Sequence, residues 1–278
     1  MHILSFMNDI YLLFGLILFF STLIYLYLHY KVRMNLKFLF IDNLLIVALA
    51  FLITLIIYKY SIVYLGFKWG FVISWLSGCF FVVVFGYALT MIRFWRSPKR
   101  TISALENEIV SPADGNIIYI KKIEADGFPV PIKNGYLVEL NELSKTSLIK
   151  SPCWLIGINM TLWDVHKNCA PINGRIILNT HTKGSFLSLK KFESLTNNER
   201  NTYVIENEDY KVGVIQIASK GVRRIDSYVK EGDTVNKGDW LGMIRFGSQV
   251  DIILPYSASV RIKIGQQVYA AKTIIAQV

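Results

Sequence analysis

The chain has 278 residues, 53% of them hydrophobic and 18% charged, with a formal net charge of +10. That apolar content excludes a disordered chain, and three cysteines without paired spacing argue against a disulfide framework or a zinc site. The excess of Lys and Arg calls for an anionic partner, and the apolar runs favour a bilayer surface over nucleic acid.

Three apolar segments come first. "DIYLLFGLILFFSTLIYLYLHY" (9–30) has no internal charge; "NLLIVALAFLITLIIY" (43–58) is shorter; "GFVISWLSGCFFVVVFGYALTMI" covers 70–92. A membrane span needs roughly 20 apolar residues, so the first and third qualify, and the second does if 38–42 extends it. The first lacks the basic lead and the small-residue cleavage site of a signal peptide. Lys31, Arg33 and Lys37 follow the first segment, and Arg93, Arg96, Lys99 and Arg100 follow the third. The positive-inside rule then leaves the N-terminus outside and the large C-terminal domain facing the cytoplasm, at the cell membrane. Residues 1–95 are thus expected to be a membrane region of two to three helices, and 96–278 a separate β-rich domain.

"FWRSPKRTI" marks the exit from the apolar region. Beyond it come short β-branched runs broken by Gly, Pro, Asn and Asp: "GNIIYI", "CWLIGINM", "GRIILN", "KVGVIQIAS", "VDIILP" and "KTIIAQV". This pattern predicts a mainly β soluble domain rich in hairpins. "GDTVNKGDWL" repeats 33 residues later as "GQQVYAAKTI", aligning Gly232 with Gly265, Val235 with Val268 and Gly238 with Ala271. Short strands of this kind build barrel-sandwich hybrids such as lipoyl and biotinyl carriers. No modifiable Met-Lys or Asp-Lys hairpin is present here.

The residues able to do chemistry are few. His2 and His29 belong to the apolar region, which leaves His166 in "WDVHKNCAPINGRI" and His181 in "NTHTKGSF". Asp114 lies in "SPADG", either an ordinary β-turn or a carboxylate serving an imidazole. Ser248 lies in "FGSQV", which lacks the second glycine of a hydrolase elbow. A serine after a glycine can instead attack the preceding carbonyl. Gly247, without a Cβ, leaves that carbonyl open. The acyl shift, elimination and hydrolysis that follow convert the serine into a pyruvoyl group and need a base, which a His–Asp pair supplies.

Taken in order, "FWRSPKR", "SPADGNI", "DVHKNCAPINGRI", "NNERN", "IASKGVRRI" and "VKEGDTVNKGDWLGMIRFGSQVDIILP" resemble the phosphatidylserine decarboxylase family, in its shorter bacterial and archaeal type. The resemblance implies self-cleavage between Gly247 and Ser248 into a large chain (1–247) and a small chain (248–278) that stay together. It implies Ser248 as the pyruvoyl residue forming a Schiff base with substrate, His166 as base and Asp114 as the acid that orients it. It further implies conversion of phosphatidylserine in the bilayer to phosphatidylethanolamine without a metal. Arg223, Arg224 and Arg245 are candidates for the lipid phosphate, and a homodimer is an open option. Cys169 stands where longer family members carry a second histidine, so either His166 works alone or Cys169 shares its role. The alternatives are a decarboxylase of another serine-headgroup lipid, such as archaetidylserine, and a non-catalytic membrane-anchored carrier or adaptor.

Overall fold

The computed structural model describes residues 2–32, 34, 36–124, 130–131, 137–189, 191, 193–220, 224–245 and 248–278. They form two compact units, Met1–Arg93 and Phe94–Val278.

The first unit is helical. It contains α1 (His2–Val32) and most of α2 (Leu36–Trp95), and both are long and apolar enough to cross a membrane. Gly66 interrupts α2 at φ 71°, ψ 168°, a conformation open to a residue without a Cβ. The expected segments 43–58 and 70–92 are therefore the two arms of one broken helix, and the shorter one gains length from its flanks. A Cβ on Gly78 would stand 2.4 Å from Ile17 Cδ1, so the second arm approaches α1 closely because it carries glycine there. Polar side chains of this unit pair with each other. Ser21 Oγ donates to Asn43 Oδ1 at 2.5 Å, and Arg93 Nη2 meets the buried Asp42 carboxylate at 2.5 Å.

The second unit is mainly β, as the strand pattern predicts. In chain order it holds β1 (Glu108–Val110), β2 (Gly115–Ile123), β3 (Val130–Pro131), β4 (Leu137–Val138), α3 (Leu140–Ser144), β5 (Cys153–Met160), β6 (Lys167–Cys169), β7 (Gly174–Thr182), α4 (Ser194–Asn197), β8 (Arg200–Glu206) and β9 (Lys211–Ala218). Then follow β10 (Arg224–Ser227), β11 (Thr234–Val235), β12 (Trp240–Arg245), β13 (Ser248–Pro255), β14 (Ser259–Val260), β15 (Gln267–Val268) and β16 (Ile274–Gln277). An antiparallel eight-stranded sheet runs β11-β7-β8-β9-β13-β5-β2-β15, beside the smaller sheets β10-β12-β6 and β1-β16-β14 and the β3-β4 hairpin.

Both faces of the large sheet are covered, which explains why its strands read as unbroken apolar runs. Along β13, Val250, Ile252 and Leu254 join one core with Ile117, Ile158, Ile176 and Val214. Ile253 turns the other way and packs with Leu155, Val204, Ile215 and Ile217, beneath Leu140 and Leu143 of α3 and Leu195 of α4. Each such side chain removed from water contributes roughly 1.5–3 kcal/mol.

The 33-residue repeat proves to be half of a larger duplication. "SPADGNII" (111–118) and "APINGRII" (170–177) occupy equivalent turns, each facing one copy of the repeat. Gly115 pairs with Val268 as Gly174 pairs with Val235. Ile117 N donates to Gln266 O as Ile176 N donates to Asp233 O, and Ala271 N reaches Ser111 O as Gly238 N reaches Ala170 O. A Cβ on either turn glycine would lie 2.4 Å from a carbonyl oxygen, of Asn159 or of Glu206. Asp114 and Asn173 hold matching places in these turns.

Candidate active site

The duplication separates what Asp114 does as a turn residue from what it does besides. Asn173 Oδ1 accepts Lys237 N at 2.7 Å, and Asp114 Oδ1 accepts Ala270 N at 2.8 Å from the equivalent position. A neutral amide is enough for that bond. The carboxylate of Asp114 adds charge and a second oxygen. Arg100 grips both oxygens, at 2.5 and 2.8 Å, and also donates to Ala270 O. Asp114 Oδ2 further accepts Val165 N at 3.4 Å, which ties the turn to the residue before His166.

His166 lies between Val165 and β6 and is fully buried. Its Nδ1 stands 2.9 Å from the main-chain oxygen of Asp164. A carbonyl only accepts, so Nδ1 carries the hydrogen and Nε2 is the bare nitrogen. That Nε2 is buried and makes no hydrogen bond among the described residues. The Phe94 ring lies over the imidazole, centroids 4.1 Å apart. Burial pushes the His166 pKa down to about 4; the bond to Asp164 and the charge of Asp114 oppose this, and Arg96 adds to it. The ring is therefore neutral at pH 7 with one nitrogen free to take a proton. The orienting contact expected of Asp114 is made by the Asp164 carbonyl instead, and Asp114 acts on His166 through charge and through Val165.

This burial makes stability depend on pH. An unfolded chain protonates His166 near pH 6.5, whereas the folded chain resists until about 4, so stability is full above 6.5 and is lost as pH falls towards 4. The loss attributable to this residue is on the order of 3 kcal/mol. With Ser248→Ala in both chains, so that their covalent structure is the same, the chain with His166 should lose thermal stability across that window more steeply than a His166→Gln variant, as read by differential scanning calorimetry. Equal slopes would place the imidazole in contact with water.

Asp164 is a second carboxyl near Asp114. Burial raises its pKa and the Asp114 charge adds to the rise, while Thr161 and Gln267 hydrogen bonds oppose.

Cys169 is no substitute base. Its thiol is buried, lies 3.5 Å from Ser111 O, and is pushed by burial up to about 12, so it stays protonated. Cys169→Ala should leave the chemistry of this site within about threefold and cost roughly 1 kcal/mol in denaturant melts, the worth of one modest contact. His181 is also separate from this cluster: it is 40% exposed and meets Glu199 at 3.3 Å.

The backbone links His166 to the remaining candidates. Its carbonyl accepts Ile244 N at 3.2 Å, at the end of β12. Arg245 closes that strand, and Phe246 and Gly247 lead to Ser248, the first residue of β13. Gly247 and Arg223 lie outside the described residues; Ser248 is placed by its backbone, opposite Met160 of β5 and Ala218 of β9. Arg224 and Arg245 are direct partners across β10 and β12. Like charges so placed repel, and Asp226 relieves this by taking one guanidinium on each oxygen, at 2.6 and 2.7 Å. Two arginines against one carboxylate leave an excess positive charge two residues from Gly247. Sequence reading missed Arg100, Asp164 and Phe94, and the repetition of "SPADG" as "APING" was the signal that would have isolated the Asp114 charge.

Comparison with known proteins gives a consistent result. Residues 87–276 match the family described as "Phosphatidylserine decarboxylase". A protein of Methanocaldococcus jannaschii named "Putative archaetidylserine decarboxylase proenzyme" is 41% identical over 199 residues, covering 71% of this chain and 94% of that protein. A protein of the same name from Methanothermobacter thermautotrophicus is 37% identical over 198 residues, covering 70% and 84%.

Proposed function

The chain belongs to the phosphatidylserine decarboxylase family, and from that premise we propose that it cuts itself at Gly247–Ser248 and then decarboxylates a serine-headgroup membrane lipid. The observation that carries this reading is the backbone bond from Ile244, near the end of β12, to His166. The segment holding Gly247 and Ser248 begins two residues beyond a backbone bond to His166, whose Nε2 is buried, bare and neutral.

In the cut, the Ser248 hydroxyl attacks the Gly247 carbonyl carbon, the C–N bond breaks and an ester forms. Loss of the residue-248 α-proton expels the Gly247 carboxylate and leaves a dehydroalanine. One water enters, one ammonia leaves, and the small chain begins with a pyruvoyl group. His166 Nε2 is the base for these proton transfers, and it retains its lone pair down to about pH 4. The residues present fit that group: a serine that follows a glycine in the sequence is the first residue of β13, and the buried imidazole is uncharged. A pyruvoyl group at this place supplies a ketone able to accept the electron pair released as CO2 leaves. The other tasks fall to the chain's own side chains. Arg224 and Arg245, sharing Asp226, attract the lipid phosphate, and His166 returns a proton to the carbon that lost CO2. The apolar helices hold the enzyme at the bilayer, with the β domain on the cytoplasmic side and the two chains in one particle.

The net change is loss of CO2 and gain of a proton, turning a phosphoserine headgroup into phosphoethanolamine. The names of the two relatives favour the ether-linked archaetidylserine over diacyl phosphatidylserine. Purified enzyme should be given each lipid in mixed micelles and the products weighed by mass spectrometry. Loss of about 44 Da, the mass of CO2, from the archaetidyl lipid at a kcat/KM about tenfold or more above the diacyl lipid supports this reading; each tenfold is about 1.4 kcal/mol of selectivity. Loss from neither lipid would sink it.

A further inference from the structure

The bond between Gly247 and Ser248 is also what holds the front end of β13. Before the cut, Ser248 is anchored from both directions along the chain. Afterwards only the residues that follow can hold it, and a strand end frays unless something ties it down. The tie is visible at the next residue. Gln249 is fully buried, and its Nε2 donates to Tyr119 Oη at 2.9 Å and to Asp251 Oδ1 at 2.7 Å.

Tyr119 belongs to β2, which is not a neighbour of β13, because β5 runs between them. The ring can cross β5 because Gly157 lies beneath it. A Cβ there would stand 2.4 Å from Tyr119 Cζ. Gly157 is the register partner of Tyr119 on one side and of Asp251 on the other, so the crossing spans three strands at one level. Asp251 is itself fully buried, and the charge it carries acts on both Tyr119 and the buried Arg200. These polar groups occupy the otherwise apolar layer of Leu155, Ile215, Ile217 and Ile253.

A buried polar cluster in an apolar layer adds little stability over a packed apolar one. Its location is therefore the informative feature: one residue behind the proposed new chain end. We propose that Tyr119, Gln249 and Asp251 form a clamp that positions the start of the small chain once the peptide is cut. This inference rests on the reading of Gly247–Ser248 as the processed bond. The three act as positioning residues, holding the start of β13 in register between β5 and β9.

The test compares Tyr119→Phe and Gln249→Leu in two backgrounds, the self-cutting chain and a Ser248→Ala chain that keeps the peptide bond. Three readouts are taken: the rate of cutting, deuterium uptake by the peptide that starts the small chain, and capture of its new carbonyl by an aminooxy reagent. The clamp predicts cutting within about threefold of wild type, since the covalent chain still holds the strand. It predicts uptake raised about tenfold in the cut form, the worth of one hydrogen bond, and unchanged in the Ser248→Ala form. Carbonyl capture should speed up in parallel and turnover per cut chain should fall. Equal uptake in the two backgrounds would overturn the clamp. So would folded variants that no longer cut, since the contact would then serve the cutting step. Tyr119→Phe keeps the ring over Gly157 and decides the matter alone if Gln249→Leu fails to fold. A wild-type chain that stays whole defeats the reading of the processed bond itself, an outcome separate from the others.

Discussion

Replacing Ser248 with Ala should leave a single chain of 31.9 kDa, whereas the wild type should separate under denaturing conditions into residues 1–247 and 248–278. The substitution removes one oxygen at the first position of β13, where the backbone pairs with Met160 and Ala218 regardless of side chain. Its effect on stability should stay within about 1 kcal/mol. Its effect on chemistry should be complete, because alanine has no hydroxyl to attack the Gly247 carbonyl and no oxygen to be eliminated. Denaturing mass spectrometry checks both halves. The wild-type small chain should be one ammonia lighter than its encoded sequence, and the Ser248→Ala chain should neither cut nor release CO2 from lipid. A wild type that remains whole and releases no CO2 would return the protein to the reading of a membrane-anchored adaptor, and an alanine variant that decarboxylates would take Ser248 out of the chemistry.

Asp114→Asn is the second large effect, and here the duplication says in advance what survives. Asn173 shows that an amide fills this turn, so the substituted side chain should still accept Ala270 N and the fold should form. What disappears is the charge. Arg100, whose side chain is 10% exposed, is left without its counterion, which costs on the order of 3 kcal/mol. Cutting should slow by roughly a hundredfold, in the range of a lost acid–base partner. Adding Arg100→Met should restore much of the stability and none of the rate. Stability is best compared by chemical denaturation in the Ser248→Ala background, where every chain has the same covalent structure, and rate by a time course in the cutting chain. Wild-type cutting by Asp114→Asn would reduce Asp114 to a turn residue.

The two effects differ in how far the sequence announced them. Ser248 stands in a string, "FGSQV", whose chemistry is local: a hydroxyl beside an unhindered carbonyl needs no knowledge of the fold. The β character of 96–278 was equally open, because strands buried on both faces show as short apolar runs between turn residues. Asp114 is harder. Its partner Arg100 lies 14 positions earlier and Ala270 lies 156 positions later, and no local spacing links them. The orientation of His166 was hidden for another reason, since it depends on the main-chain carbonyl of Asp164, which every residue type possesses. Cys169 shows the opposite limit: its place in the motif left a shared role open, and burial, which the motif does not reveal, pushes its thiol towards the protonated form.

β13 lies in the middle of the large sheet, bonded to β9 on one side and β5 on the other, while β15 and β16 of the same small chain pair with β2 and β1. A cut at Gly247 would thus leave two polypeptides woven into one body, and a native sizing column would see no change. Unfolding would be another matter. Once melted, the pieces diffuse apart, and regaining the sheet becomes a second-order encounter that dilution slows. The processed enzyme's working life would then be set by how slowly it first opens, so maturation would exchange reversible folding for kinetic persistence.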